Sequence, residues 1–144
     1  MNTEAEHKAQ SLHRVRTIKS LISDAQKSAI DEILQGEEGL YMAKLLLDIY
    51  EIWERMPVTN ETENQGSAAK AQLHYFLGGC DWWIIEKDID TDHQGQIQAF
   101  GIADLGFNCR ELGYISIPEI LSVGAELDFH YKPQSIAELI RHTN

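Results

Sequence analysis

The chain is 144 residues long and carries a formal net charge of −11. That length makes one ordinary domain, and 43% apolar residues can bury a core without disulfides or metal. The charge argues against direct nucleic-acid binding, because the field of the whole molecule repels polyanions; basic protein surfaces are the compatible counterpart.

The charge is also segregated. Residues 1–27 sum to +2, residues 28–66 to −7 and the remainder to −6. Cys80 and Cys109 are the only cysteines. The polar start, Met1-Asn2-Thr3-Glu4, has no apolar signal core behind it, and no apolar run approaches the ~20 residues that span a bilayer. The expectation is a cytoplasmic protein with reduced thiols and no membrane contact.

The first third reads as helix. Leu12, Val15, Ile18 and Ile22 recur at spacings of three and four, which puts them on one helix face, and Ala25, Ala29 and Ile33 continue the stripe. Ser23 with Gln26 three residues later forms a capping box, so a break is expected there. Gly36 suits the end of that second segment. A longer helix follows from about Glu38 to Arg55. Met42, Leu46, Ile49, Trp53 and Met56 line one side, and Leu40, Leu45, Leu47, Tyr50 and Ile52 cover much of the rest. Such a helix is expected to be buried on more than one side, between the first helical segment and a sheet. Pro57 ends it. Residues 59–69 are polar at first and read as a linker or mobile loop, separating a helical segment (1–58) from a β domain (70–144) within one compact unit.

From Leu73 the period changes to two. LHYFL, Gly78-Gly79 and CDWWIIE read as strand, two-residue turn, strand. The second strand is apolar on both faces, with Trp82 and Ile84 on one and Trp83 and Ile85 on the other. It is therefore expected at the centre of the sheet, covered on one face by the helices and on the other by the chain's end or a partner. A polar turn from Asp88 to Gly95 leads into a strand from Gln96 to Asp104, and another runs from Arg110 to Ile117. Ser116 and Glu119 around Pro118 open a short helix. Glu126 to Lys132 alternates as a half-exposed strand, with Leu127, Phe129 and Tyr131 inward. Ser135 and Glu138 cap a short terminal helix. The fold class is α+β: N-terminal α-helices packed on a C-terminal antiparallel β-sheet of four to five strands, with a short C-terminal helix.

Chemistry-bearing patterns are few. Asp88, Asp90 and Asp92 alternate as calcium-loop ligands do, but His93 and Ala99 stand where the loop needs Gly and a bidentate Glu. A solvated turn is the expectation. Cys80 and His74 sit on opposite strands of the hairpin and raise a thiol and its base, but with no clear orienting group and an apolar setting for Cys80, a buried structural thiol is the expectation. Asp81, Asp104 and Glu111 offer carboxylates whose convergence the sequence leaves open. The histidines show no metal-ligand spacing, Gly78-Gly79 has no helix behind it to cradle a phosphate, and no cofactor is expected. Trp82 and Trp83 are core anchors or, alternatively, interface anchors.

The string LHYFLGGCDWWIIEKD, then IQAFGIADLG, RELGYISIPEIL and LDFHYKPQSIAEL resembles a small bacterial domain family of unknown function, numbered twenty-nine fifty-eight, over residues 72–140. The family outline falls here on Tyr75-Phe76, Trp82-Trp83, Phe100-Gly101, Glu111 to Ile117 and Leu127 to Pro133. The resemblance implies mobile genetic elements as the genomic setting and carries no catalytic residue with it.

Three functions follow as expectations. The first is a non-enzymatic protein-interaction protein, encoded on a mobile element and acting on host defence or nucleic-acid-binding proteins through an acidic surface. Trp82, Trp83, Asp88, Asp90, Asp92, Glu37 and Glu38 are its candidate surface. The second is a small hydrolase-type enzyme using a carboxylate or Cys80 near the hairpin. The third is a homo-oligomer with a self-complementary face.

Overall fold

The computed structural model describes residues 3–88, 98–107 and 109–141. Three helices come first: α1 (Thr3–Ser20), α2 (Asp24–Gln35) and α3 (Gly39–Arg55). A 3₁₀ segment, Glu63–Ala68, precedes strands β1 (Lys70–Ala71), β2 (Leu73–Leu77), β3 (Cys80–Glu86), β4 (Gln98–Asp104) and β5 (Arg110–Ser116). Helix α4 (Ile117–Ser122), strands β6 (Glu126–Leu127) and β7 (Gln134–Ser135), and helix α5 (Ile136–Arg141) complete the chain. The architecture is α+β as expected.

The break between α1 and α2 falls where Ser23 caps: its Oγ accepts the Gln26 N–H at 3.2 Å. The reciprocal half of the capping box is absent because the Gln26 side chain is used elsewhere. Its amide donates to the Leu127 carbonyl and accepts the Leu127 N–H, both at 2.9 Å. Between α1 and α2, Leu21, Ile22 and Ser23 are buried, and the Tyr75 hydroxyl donates to the Leu21 carbonyl at 2.6 Å. The helical front end is thereby bolted to the sheet through the break, while α1 itself buries no residue. Leu12 and Val15 are about half exposed, so their stripe lies along the molecule's surface. Helix α3 buries Met42 and Ile49 but leaves Leu40, Tyr41 and Leu47 exposed; it is covered on fewer sides than its composition suggests.

The main sheet is antiparallel in the order β5-β4-β3-β2-β6, with β3 central. Gly78 takes a positive φ of 56°, as the first position of a II′ turn requires, and the two-residue turn pairs Leu77 with Cys80. One face carries Leu73, Tyr75, Trp82, Ile84 and Ile115 against Ile30, Met42, Ile49 and Met56 of the helical region. The opposite face carries Trp83, Ile85 and Ile102 against Ala69, Ala71, Leu139, Tyr131 and Ile136. Both sides of β3 are therefore core, and the chain's own end covers the second side. A bulge between Ile84 and Glu86 leaves Ile85 without a partner on β4 and sets Glu86 opposite Phe100, so the alternation kept through Ile85 breaks at Glu86.

Two departures from local expectation have clear causes. The strand expected over Glu126–Lys132 stops after Leu127, because Asp128 turns the chain: its Oδ1 accepts the His130 N–H at 3.0 Å. Phe129 and Tyr131 consequently join the two different cores. The polar stretch after Thr59 is held on the sheet by the buried Glu86 carboxylate. That carboxylate accepts the Asn60 and Thr62 N–H groups at 3.0 Å each and the Thr62 hydroxyl at 2.6 Å. Val58 bridges Lys87, and the Lys87 ammonium reaches the Trp53 carbonyl at 2.6 Å.

Candidate functional site

Two places gather chemistry-bearing side chains. The first is a polar row across the C-terminal-covered face of the sheet. Cross-strand partners share a face, so the registers Phe76↔Asp81, His74↔Trp83, Asp81↔Asp104 and Asp104↔Arg110 bring His74, Asp81, Asp104 and Arg110 together. His74 Nε2 lies 2.8 Å from Asp81 and Nδ1 lies 3.1 Å from Asp128. Its ring stacks on Trp83 at 5.1 Å and meets Tyr131 at 5.5 Å. On the other side of Trp83, the Arg110 guanidinium sits 4.6 Å from the ring centroid, contacts Asp104 at 3.5 Å and donates to the Leu139 carbonyl.

This row clasps the terminal segment to the sheet. A histidine held by a carboxylate at each nitrogen and flanked by the rings of Trp83, Tyr131 and Phe76 is oriented by its surroundings rather than presented to a substrate. Cys80 and Glu111 lie on the opposite face, by the same register. The two-residue turn fixes this parity: Cys80 opposes Leu77, three residues from His74, so thiol and imidazole point apart. The second thiol, Cys109, is exposed, and its S–H hydrogen bond to Glu111 raises its pKa, with that carboxylate's charge adding to the effect. Both features disfavour a reactive thiolate.

Tyr131 and Tyr75 make the covered faces sensitive to alkali. Burial raises the Tyr131 phenol to about 12, against the pull of the Gln134 amide and with the help of the Glu138 and Asp128 carboxylates, and burial raises Tyr75 further. A phenol ionises near pH 10 in the unfolded chain, so the unfolded state alone loses these protons above that pH. Stability is therefore present below pH ~10 and lost as pH climbs through ~12. Urea midpoints at rising pH should fall in that window, and a Tyr131→Phe variant should fall less.

The second place is a groove of about 570 Å³ between the α2–α3 corner and the β2–β6 side of the sheet. Ile33, Tyr41, Met42 and Leu45 form its helical wall, and Phe76, Leu127 and Phe129 form the other. Glu37, Glu38 and Asp128 stand at its rim with His130, whose ring stacks on Tyr41 at 6.4 Å. Asp128 is thus shared between the groove and the polar row.

The expected surface residues divide accordingly. Glu37 and Glu38 are exposed at the groove. Trp82 and Trp83 are only 8% and 6% exposed and anchor the two cores, so neither is available to a partner. Asp88 is half-buried and accepts the Gln98 N–H at 3.2 Å. Asp90 and Asp92 lie outside the described residues, as does most of the calcium-like turn. Among the described residues no cluster of three ligand side chains is placed to hold a metal, and no helix is long and apolar enough to cross a membrane. The groove's apolar walls had no sequence signal, because they come from elements distant in the chain.

The fold defines an α+β protein whose five-stranded antiparallel sheet is covered by helices on one face and by its own C-terminal segment on the other. The chain belongs to the DUF2958 family of proteins of unknown function, which matches residues 51–134. That match begins earlier than the resemblance over 72–140, and it takes in the end of α3 and the stretch held by Glu86. No curated protein and no solved structure matches the chain.

Proposed function

We propose that this is a non-enzymatic interaction protein that engages basic partner proteins through an apolar groove with an acidic rim. The observation that carries this reading is the groove itself: apolar side chains on both walls, with Glu37, Glu38 and Asp128 at the edge. Apolar contact supplies affinity there, and the carboxylates select partners whose apolar anchors are flanked by lysine or arginine. The net charge of −11 works in the same direction at longer range. Nucleic-acid-binding and defence proteins of a host present such basic surfaces, which suits a protein encoded on a mobile genetic element.

The test is titration against a panel of basic nucleic-acid-binding proteins. Binding to at least one member should weaken as salt rises, since the attraction is screened within ~10 Å at 0.1 M. Glu37→Lys/Glu38→Lys should weaken it by about tenfold or more while lowering the melting temperature only slightly, since both residues are exposed and Glu38 gives up a favourable place at the α3 N-terminus. Absence of binding across the panel, or binding indifferent to the double charge reversal, rejects the reading.

A further inference from the structure

We propose that β5 is an association edge at which two copies of this chain pair antiparallel, with a two-fold axis through Gly113. The sheet has two edges, and they are treated differently. At β6 the edge is two residues long, and the N–H and carbonyl of Leu127 are both taken by the Gln26 amide. At β5 the edge is seven residues long, and among the described residues no strand lies beyond it. A long strand with an unpaired side is a template for another strand.

The residues on β5 are complementary to themselves. With Gly113 opposite Gly113 of the second copy, Leu112 opposes Tyr114 twice, Arg110 opposes Ser116 and Glu111 opposes Ile115. Gly113 is the midpoint of the strand, so this register pairs all seven residues. No like charges meet, whereas an axis through Glu111 would set carboxylate against carboxylate. Leu112 is 47% and Tyr114 67% exposed, and the pairing covers both.

Gly113 supplies an independent argument. A Cβ built there meets nothing within 4 Å, and its φ is not positive, so this chain's own fold does not demand glycine at the centre of the strand. Glycine inside a strand weakens it and often marks the close approach of another backbone. A single strand pair is a small interface, so the association is expected to be transient.

Salt separates this association from the groove's. Two copies of charge −11 repel, so salt should strengthen the pairing, the reverse of its effect on a basic partner. Sedimentation from about 10 µM to about 1 mM, the range where weak complexes dissociate, should show a monomer–dimer equilibrium. It should shift toward dimer as salt rises, and Tyr114→Lys should weaken it by about tenfold or more, with the melting temperature lowered only by loss of the Tyr114–Phe100 ring contact.

Register is read by oxidation in a Cys80→Ala/Cys109→Ser background. Gly113→Cys should give a symmetric disulfide dimer, and Leu112→Cys, whose counterpart is Tyr114, should give little. A monomer throughout the range, a Tyr114→Lys variant that dimerises like the parent, or cross-linking at Leu112→Cys in preference to Gly113→Cys overturns the proposal.

Discussion

Gly101→Ala is expected to cost about 3 kcal/mol or more, at the upper end of overpacking effects. The same change at Gly113, its partner across the β4–β5 ladder, should be neutral or stabilising. A Cβ at Gly101 would stand 1.9 Å from the Trp83 carbonyl oxygen and 3.1 Å from the Ile84 Cα. Those atoms are backbone of the central strand, next to the bulge, and cannot rotate away as a side chain would. Relief requires β3 and β4 to separate, which loosens both cores at once because β3 divides them. At Gly113 the added methyl meets open space, and restricting the unfolded chain is worth about 0.4–1 kcal/mol in favour of folding. Urea unfolding at low protein concentration reads both variants, with an unchanged denaturant slope showing that stability alone has moved. Equal midpoints for the two variants would sink the argument.

The same pair of glycines marks where reading from sequence stops. In the chain they are alike, each within an apolar β segment; only the register against β3, which sets Gly101 opposite Ile84 and under the Trp83 carbonyl, separates them. Local features were legible because their causes are local. Gly78-Gly79 names its own turn, Ser23, Ser116 and Ser135 accept the N–H groups three residues on, and the two apolar faces of CDWWIIE place β3 at the centre. What escaped depends on partners far away in sequence. Gln26 closes the β6 edge at Leu127, and Glu86 holds the turn at Asn60 and Thr62. The pairing of β1 with β7 joins residues near 70 to residues near 135. Glu37 and Glu38 could be chosen as exposed acids, but the apolar walls they border come from α2, α3, β2 and β6 together. His74 with Asp81 was half legible: the two-residue turn sets their parity, whereas Asp128 arrives by way of a turn that cuts the expected strand short.

Trp83→Ala should cost about 3–5 kcal/mol, the usual range for emptying a buried aromatic site. Its effect should also be directional. The indole is the platform between His74 on one side and Arg110 on the other, and those two groups tie the sheet to Asp128 and to the Leu139 carbonyl. Removing the platform leaves a charged guanidinium and an imidazole with weakened orientation, so loss should concentrate in the C-terminal segment they clasp. Trp82→Ala empties a site of the same size on the helix-covered face, in the core that also holds Met42 and Ile49. Hydrogen exchange should therefore show protection lost mainly over residues 128–141 in the first variant and over α2 and α3 in the second. A cycle combining Trp83→Ala with Arg110→Ala should give a coupling of about 0.5–2 kcal/mol, as expected for a cation held on a ring in a half-buried setting. If both tryptophan variants lose protection in the same places, the two faces are not separate cores. The view of the polar row as a clasp for the chain's end would then fail with them.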